Sequence, residues 1–186
     1  MKCYKLTDEN DQTYGGCQWG KDVTHTADGK GDLCTKHWIH AYSHKLVAVV
    51  MNPSHGNYDP KTMHLWECEA EIGKDDHGLK FGTTKLTTIK RVSIPRMSEA
   101  AKVRFAIYCA LEVYKDKSFK KWADDWLSGK DRSEAARAAA RAARAAEAAW
   151  AAARAAARAA AEAADIDLVT LIKKAIKDER DVVKEK

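Results

Sequence analysis

The sequence predicts an α+β chain. A small mixed or antiparallel sheet domain occupies residues 1–96, and an all-helical half with a long alanine-rich helix occupies 97–186. Three observations carry this. All seven histidines, all three prolines and nine of the ten glycines precede Arg96, and proline and glycine punctuate strands and turns. The segment Trp66–Ile72 alternates apolar and polar residues with the two-residue period of a strand. From Glu134 to Ala164, 22 of 31 residues are alanine, the best helix former.

Taken in order, Lys2–Leu6 and Thr13–Trp19 read as short strands joined by the polar turn Asp8-Glu9-Asn10-Asp11. Thr24–Gly29 and on to Asp32 reads as loop. Trp38–Tyr42 reads as a strand, after which Ser43 caps a helix that runs through Met51 and stops before Pro53. Asn52–Lys61 is loop. In the next strand Trp66, Cys68, Ala70 and Ile72 face one side, and Glu67, Glu69 and Glu71 the other. Gly73–Gly78 turns the chain, and Leu79–Ile94 is rich in Thr, Val and Ile. In the second half Ser98 caps a helix whose buried face is Val103, Ile107, Ala110, Leu111 and Tyr114. Ser118 caps another, carrying Phe119, Trp122 and Trp126 and ending at Gly129. The alanine-rich helix spans about 132–164. An amphipathic helix at about 167–184 closes the chain, with Leu168, Leu171, Ile172, Ala175 and Ile176 at i, i+3, i+4, i+7, i+8 spacing.

Composition removes several classes. With 45% apolar and 32% charged residues in 186, the chain can bury a core, so a wholly disordered or fibrous chain is excluded. No apolar run approaches the ~20 residues of a membrane span. The start Met1-Lys2-Cys3-Tyr4 is strand-like and lacks a signal-peptide pattern. Five scattered cysteines, an odd number, fit a reducing, cytoplasmic setting better than a disulfide scaffold. The net charge is +5. Residues 1–96 hold 13 Lys and Arg against 12 Asp and Glu, so neither half has the concentrated positive field of a nucleic-acid binder.

Within 134–162 the non-alanine residues Glu134, Arg137, Arg141, Arg144, Glu147, Trp150, Arg154, Arg158 and Glu162 recur every 3.5 positions on average, the period of a left-handed supercoil. The rest of the surface is alanine, which lets backbones approach closely. This favours self-association, with Ala138, Ala142, Ala145, Ala149, Trp150 and Ala153 at the interface. Five arginines rule out a membrane helix, and three glutamates in the same stripe weaken a phosphate track.

Motifs for catalysis are weak. Gly15-Gly16-Cys17-Gln18-Trp19-Gly20-Lys21-Asp22 approaches a phosphate-binding loop, but Asp22 replaces the magnesium-binding hydroxyl and no helix is expected next. Cys34, His37, His40 and His44 are dense in metal-ligand types, yet the spacing matches no common zinc site. No metal and no cofactor is therefore expected. Ser43-His44 and Cys34 with His37 are chance adjacencies rather than a nucleophile with its base. Glu67, Glu69 and Glu71 read as a solvated face. What remains is collective: aromatics and histidines gather in residues 14–66, His55, Tyr58, His64 and Trp66 among them. Flat rings stack on bases, and His, Lys and Gln bond phosphates and ribose. The expected ligand residues are Tyr14, Gln18, Trp19, Lys21, His25, Trp38, His40, Tyr42 and His44.

Met1-Lys2-Cys3-Tyr4-Lys5-Leu6-Thr7, Tyr14-Gly15-Gly16, Trp19-Gly20, Trp38-Ile39-His40-Ala41-Tyr42 and Leu65-Trp66-Glu67 resemble an uncharacterised family of small phage and bacterial proteins. Its members pair such a domain with a tail rich in Ala, Trp, Glu and Arg. The resemblance covers most of 1–130 in pattern and the tail in composition, and brings no site residues with it. It implies a phage protein acting in a bacterial cytoplasm, a class that often blocks host defences, in some cases by sequestering nucleotide signals. The short His-bearing strand and the helix after it also resemble ADP-ribosyltransferase-like folds.

The resulting expectation is a non-enzymatic homo-oligomer that sequesters a nucleotide-like anionic ligand, with the helical half assembling it. The alternatives are an enzyme acting on a nucleotide or NAD-like substrate, and a protein–protein inhibitor or structural oligomerisation module.

Overall fold

The computed structural model describes residues 1–114, 117–130 and 166–184 and divides into two units, Met1–Arg96 and Met97–Lys186. The first unit is α+β with antiparallel sheets, as its composition predicts. Strands β1 (Lys2–Thr7), β4 (Thr24–Thr26), β6 (His64–Ala70) and β9 (Lys85–Val92) form a four-stranded sheet in the order β1-β6-β9-β4. A second sheet has the order β5-β8-β7, from β5 (Ile39–Ala41), β7 (Lys74–Asp75) and β8 (Phe81–Thr83). The hairpin of β2 (Gln12–Thr13) and β3 (Cys17–Gln18) is a third. Two backbone hydrogen bonds join the two larger sheets: Tyr4 N donates to Tyr42 O (2.8 Å), and Tyr42 N donates to Tyr4 O (2.9 Å).

Register decides which side chains meet. Cys3 lies opposite Cys68, and Lys5 opposite Trp66. Arg91 lies opposite Trp66, Thr88 opposite Cys68 and Leu86 opposite Ala70, with a bulge between Glu67 and Cys68. His25 lies opposite Leu86. Directly opposed residues share a sheet face, so all of these stand on one side. The core there contains Cys3, Trp19, Ala41, Trp66, Cys68, Ala70, Phe81 and Leu86. On β6, Trp66, Cys68 and Ala70 are buried as the alternation predicts, but the strand ends at Ala70 and Ile72 is exposed. Glu67 pairs with Lys2 at 2.7 Å and Lys90 at 3.9 Å, which makes that face a solvated ion-pair ladder.

Four local expectations are corrected. Thr13–Trp19 is broken by a 3-10 turn at Tyr14–Gly16, where Gly15 and Gly16 adopt φ of +74° and +73°; glycine reaches that region without strain. Thr24–Thr26, expected as loop, pairs with β9 because Thr24, His25 and Thr26 add to its open edge. Lys74–Asp75 is a strand within the expected turn. Helix α1 (Lys45–His55) is capped by His44, whose Nδ1 accepts from Leu46 N at 3.1 Å, and it runs through Pro53. Pro53 sits in the last turn, so the helix gives up its bond to Val49 O only two residues before it ends. Asn52 closes that end, accepting from Tyr58 N at 3.1 Å and donating to Tyr58 O at 2.8 Å. α1 packs against β1 and buries Leu46, Val47, Ala48 and Met51.

In the second unit the described residues form three helices. Ser98 caps α2 (Glu99–Val113) by accepting from Ala101 N at 3.0 Å, as expected. Its buried residues are Ala101, Arg104, Phe105, Ile107 and Tyr108, whereas Tyr114 is exposed. The buried face is rotated from the expected one because Arg104, a charged residue, belongs to it. Its Nη1 donates to Leu127 O at 3.0 Å, and its guanidinium lies 5.6 Å from the Trp126 ring. Helix α3 (Lys117–Leu127) starts one residue ahead of Ser118, and Gly129 lies just beyond it with φ +77°. Asp167 starts α4 (Leu168–Lys184), accepting from Thr170 N at 3.0 Å, with Ile172 and Ala175 fully buried. The Tyr108 hydroxyl donates to Asp178, and burial raises its pKa to about 12. The alanine-rich helix of 132–164, with Ala138, Ala142, Ala145, Ala149, Trp150 and Ala153, lies outside the described residues. Among the described residues no helix is long and apolar enough to cross a membrane.

Candidate functional site

Asp11 organises a polar cluster in the first unit. It closes the turn in which Asp8 accepts from Asn10 N at 2.9 Å and from Gln12 N at 2.7 Å. Its own backbone is left-handed at φ +60°, a conformation short polar residues tolerate. Its carbonyl accepts from Trp19 N at 2.8 Å. The carboxylate then meets donors from two strands. Oδ1 accepts from His64 Nδ1 at 2.8 Å and from Trp66 Nε1 at 3.0 Å, and Oδ2 accepts from Arg91 Nη2. The Arg91 guanidinium also lies 5.5 Å from the Trp66 ring. Burial alone would raise the Asp11 carboxyl, but the hydrogen bonds from Arg91, His64 and Trp66 outweigh it and hold it below the usual carboxylate range.

Beside this cluster on the same sheet face stands Lys5, only 7% exposed. Its Nζ donates to His40 O at 2.9 Å and lies 4.8 Å from the Trp19 ring. Burial pushes the ammonium down to about 8 against the partial opposition of Cys68, Cys17 and Cys3. The Cys3–Cys68 hydrogen bond and burial push the Cys68 thiol up.

The nine expected ligand residues do not converge on one site. Trp19 is a core residue, 3% exposed, with its Nε1 donating to Thr13 Oγ1 at 2.9 Å. Its ring meets His25 edge-on at 4.5 Å and is not an open stacking platform. His25 Nε2 donates to Gln18 O at 2.7 Å, and Gln18 Nε2 donates to Asn10 O at 2.9 Å, so these three form one group. Tyr14 is 99% exposed at the hairpin tip, and Lys21 is exposed in the next turn. His40 lies on β5 of the second sheet, whereas Trp38, expected to open that strand, precedes it in a bend. Trp38 Nε1 donates to Gly31 O at 3.3 Å, and its ring lies where a Cβ on Gly73 would come within 2.5 Å; glycine is required there by close approach. His40 Nε2 donates to Leu33 O, and burial lowers its pKa. Tyr42 is buried and its hydroxyl lies 3.4 Å from His55 Nδ1, while His44 is the α1 cap. His37 bonds Asp28 at 2.7 Å. The Cys34–His44 run is thus dispersed, and among the described residues no three His, Cys, Asp or Glu are placed to hold a metal ion.

Lys5, Asp11 and Arg91 lie outside the set that the sequence marks as a site. Each is 50 or more residues in sequence from at least one partner it meets, as Asp11 is from His64 and Arg91 (separations of 53 and 80) and Lys5 from Trp66 across β1 and β6. Compared with family models, curated proteins and solved structures, the chain matches none.

Proposed function

We propose that residues 1–96 form a binding module for a small anionic ligand of the nucleotide class, and that the Asp11 cluster is its anchoring point. The observation that carries this reading is Arg91. Its side chain is 52% exposed, yet it is fixed by a carboxylate and an indole ring. One edge of the guanidinium is used, and its remaining N–H groups have no partner among the described residues. A planar cation held in advance loses little freedom when it grips a phosphate. Lys21 and Tyr14, exposed nearby in sequence, suit the rim. The resemblance to phage proteins supports a host nucleotide signal as the ligand.

A panel of mono-, di- and cyclic nucleotides tests the reading. One member should raise the melting temperature, because a ligand bound only by the folded state stabilises it. Arg91→Met should abolish that shift. If no member shifts the wild type, the reading fails and the protein–protein alternative is preferred. We further propose that residues 132–164 form one helix that joins copies of the chain. Ala145→Glu with Ala149→Glu should then reduce the sedimenting mass without loss of helicity, and a monomeric wild type at tens of micromolar would overturn it.

A further inference from the structure

His64 is better prepared than an anchoring role requires. Its Nδ1 faces Asp11 Oδ1 at 2.8 Å. A carboxylate only accepts, so Nδ1 carries the proton and Nε2 of the neutral ring is the basic nitrogen. Nothing among the described residues bonds to Nε2, and 26% of the side chain is exposed. The orienting carboxylate cannot swing away, because Trp66 Nε1 shares Oδ1 at 3.0 Å and Arg91 occupies Oδ2. Base and cation are therefore fixed on the two oxygens of one carboxylate. This is the pairing in which a carboxylate sets the tautomer of an imidazole that acts as a general base.

We propose that the cluster hydrolyses a phosphodiester of the nucleotide class, with His64 as the catalytic base and Asp11 as its positioning residue. Arg91 grips the non-bridging oxygens. Asp11 already offsets the Arg91 charge, which favours a singly charged diester over a dianionic monoester. His64 Nε2 takes a proton from a water whose oxygen forms the new bond to phosphorus. The ester P–O bond breaks, and the imidazolium returns its proton to the leaving oxygen. One water is consumed, and a phosphomonoester and an alcohol are formed. The inference rests on the anion-binding reading above and adds a chemical step after binding. The expectation of a ligand held unchanged arises only from the lack of a recognisable base in the sequence.

The experiment uses the full chain with bis(p-nitrophenyl) phosphate, monitored by p-nitrophenol release, and with 2′,3′-cyclic AMP, monitored by phosphorus NMR. Melting shifts with the same nucleotide are recorded in parallel. His64→Asn keeps a donor toward Asp11 but has no base, so turnover should fall ~100-fold or more while the nucleotide shift persists. In His64→Ala, added imidazole should restore part of the turnover, which a purely structural histidine would not allow. A nucleotide shift with every substrate recovered intact overturns the inference and leaves the binding reading standing. Turnover by His64→Asn at the wild-type rate also overturns it. Neither shift nor product removes both.

Discussion

Asp11 and Lys5 are both charged, and each is largely enclosed against one face of the four-stranded sheet. Asp11 meets N–H groups from His64, Trp66 and Arg91. Among the described residues the Lys5 ammonium makes a single hydrogen bond, to His40 O at 2.9 Å, and has an aromatic face at 4.8 Å. The first carboxyl is held below its ordinary range and the second ammonium is pushed down to about 8. Enclosure thus leaves one charge stabilised and the other penalised. What decides is how many complementary groups the register delivers to each, rather than depth alone.

The largest effect should come from Trp19, the ring beneath which Lys5 sits. Trp19→Ala should lose about 3–5 kcal/mol in urea unfolding. A loss under about 1 kcal/mol would show that the Lys5 side of the face is not core and would dissolve the contrast. Asp11→Ala comes next, at about 2–4 kcal/mol, because it strands a buried indole N–H and unpins His64 and Arg91. Its pH signature is acidic. A depressed carboxyl contributes stability that is complete above the unfolded value near ~3.9 and is lost as pH falls below it. The wild type should therefore weaken there more than Asp11→Ala does, as equilibrium unfolding at pH 3 and pH 6 will register.

Lys5 should behave in the opposite way. Its folded value is about 8 against 10.5 unfolded, so the unfolded chain binds the extra proton between those limits and stability rises as pH climbs through them. Lys5→Met should be about 1–2 kcal/mol more stable at pH 7, and its stability should not change across that window on Lys5's account. A destabilised Lys5→Met would mean that the His40 carbonyl and the Trp19 ring satisfy the ammonium fully. The smallest effect belongs to Tyr14, 99% exposed. Tyr14→Ala should change stability by no more than ~0.5 kcal/mol, and any larger change in nucleotide affinity then reports contact with the ligand.

Legible in the sequence is whatever depends on neighbours in the chain. Alternation places Trp66, Cys68 and Ala70 inward, Ser98 and Asp167 announce two helix starts, and composition locates the boundary that falls at Arg96. Hidden is whatever depends on register. Asp11 looks like one more acid in a polar turn, since its partners lie 53 to 80 residues on. Lys5 and Arg104 look like surface because charged residues are seldom buried, although both are. Trp19 has the right chemistry for stacking on a base, and only tertiary packing shows its face to be taken. His44 takes the cap expected of Ser43 because an imidazole nitrogen can accept the same amide.

Strand β1 pairs with Glu69 through His64 and with Tyr42, never with a sequence neighbour. On a ribosome it would therefore emerge long before its partners. The β2–β3 hairpin closes over a few residues and can form early, carrying Asp11 before His64, Trp66 and Arg91, the N–H donors to its carboxylate, are made. Such long-range pairing slows folding relative to a local topology. The order of events would place the carboxylate last among the groups to be satisfied, so Asp11→Ala should speed unfolding while leaving the refolding rate nearly unchanged.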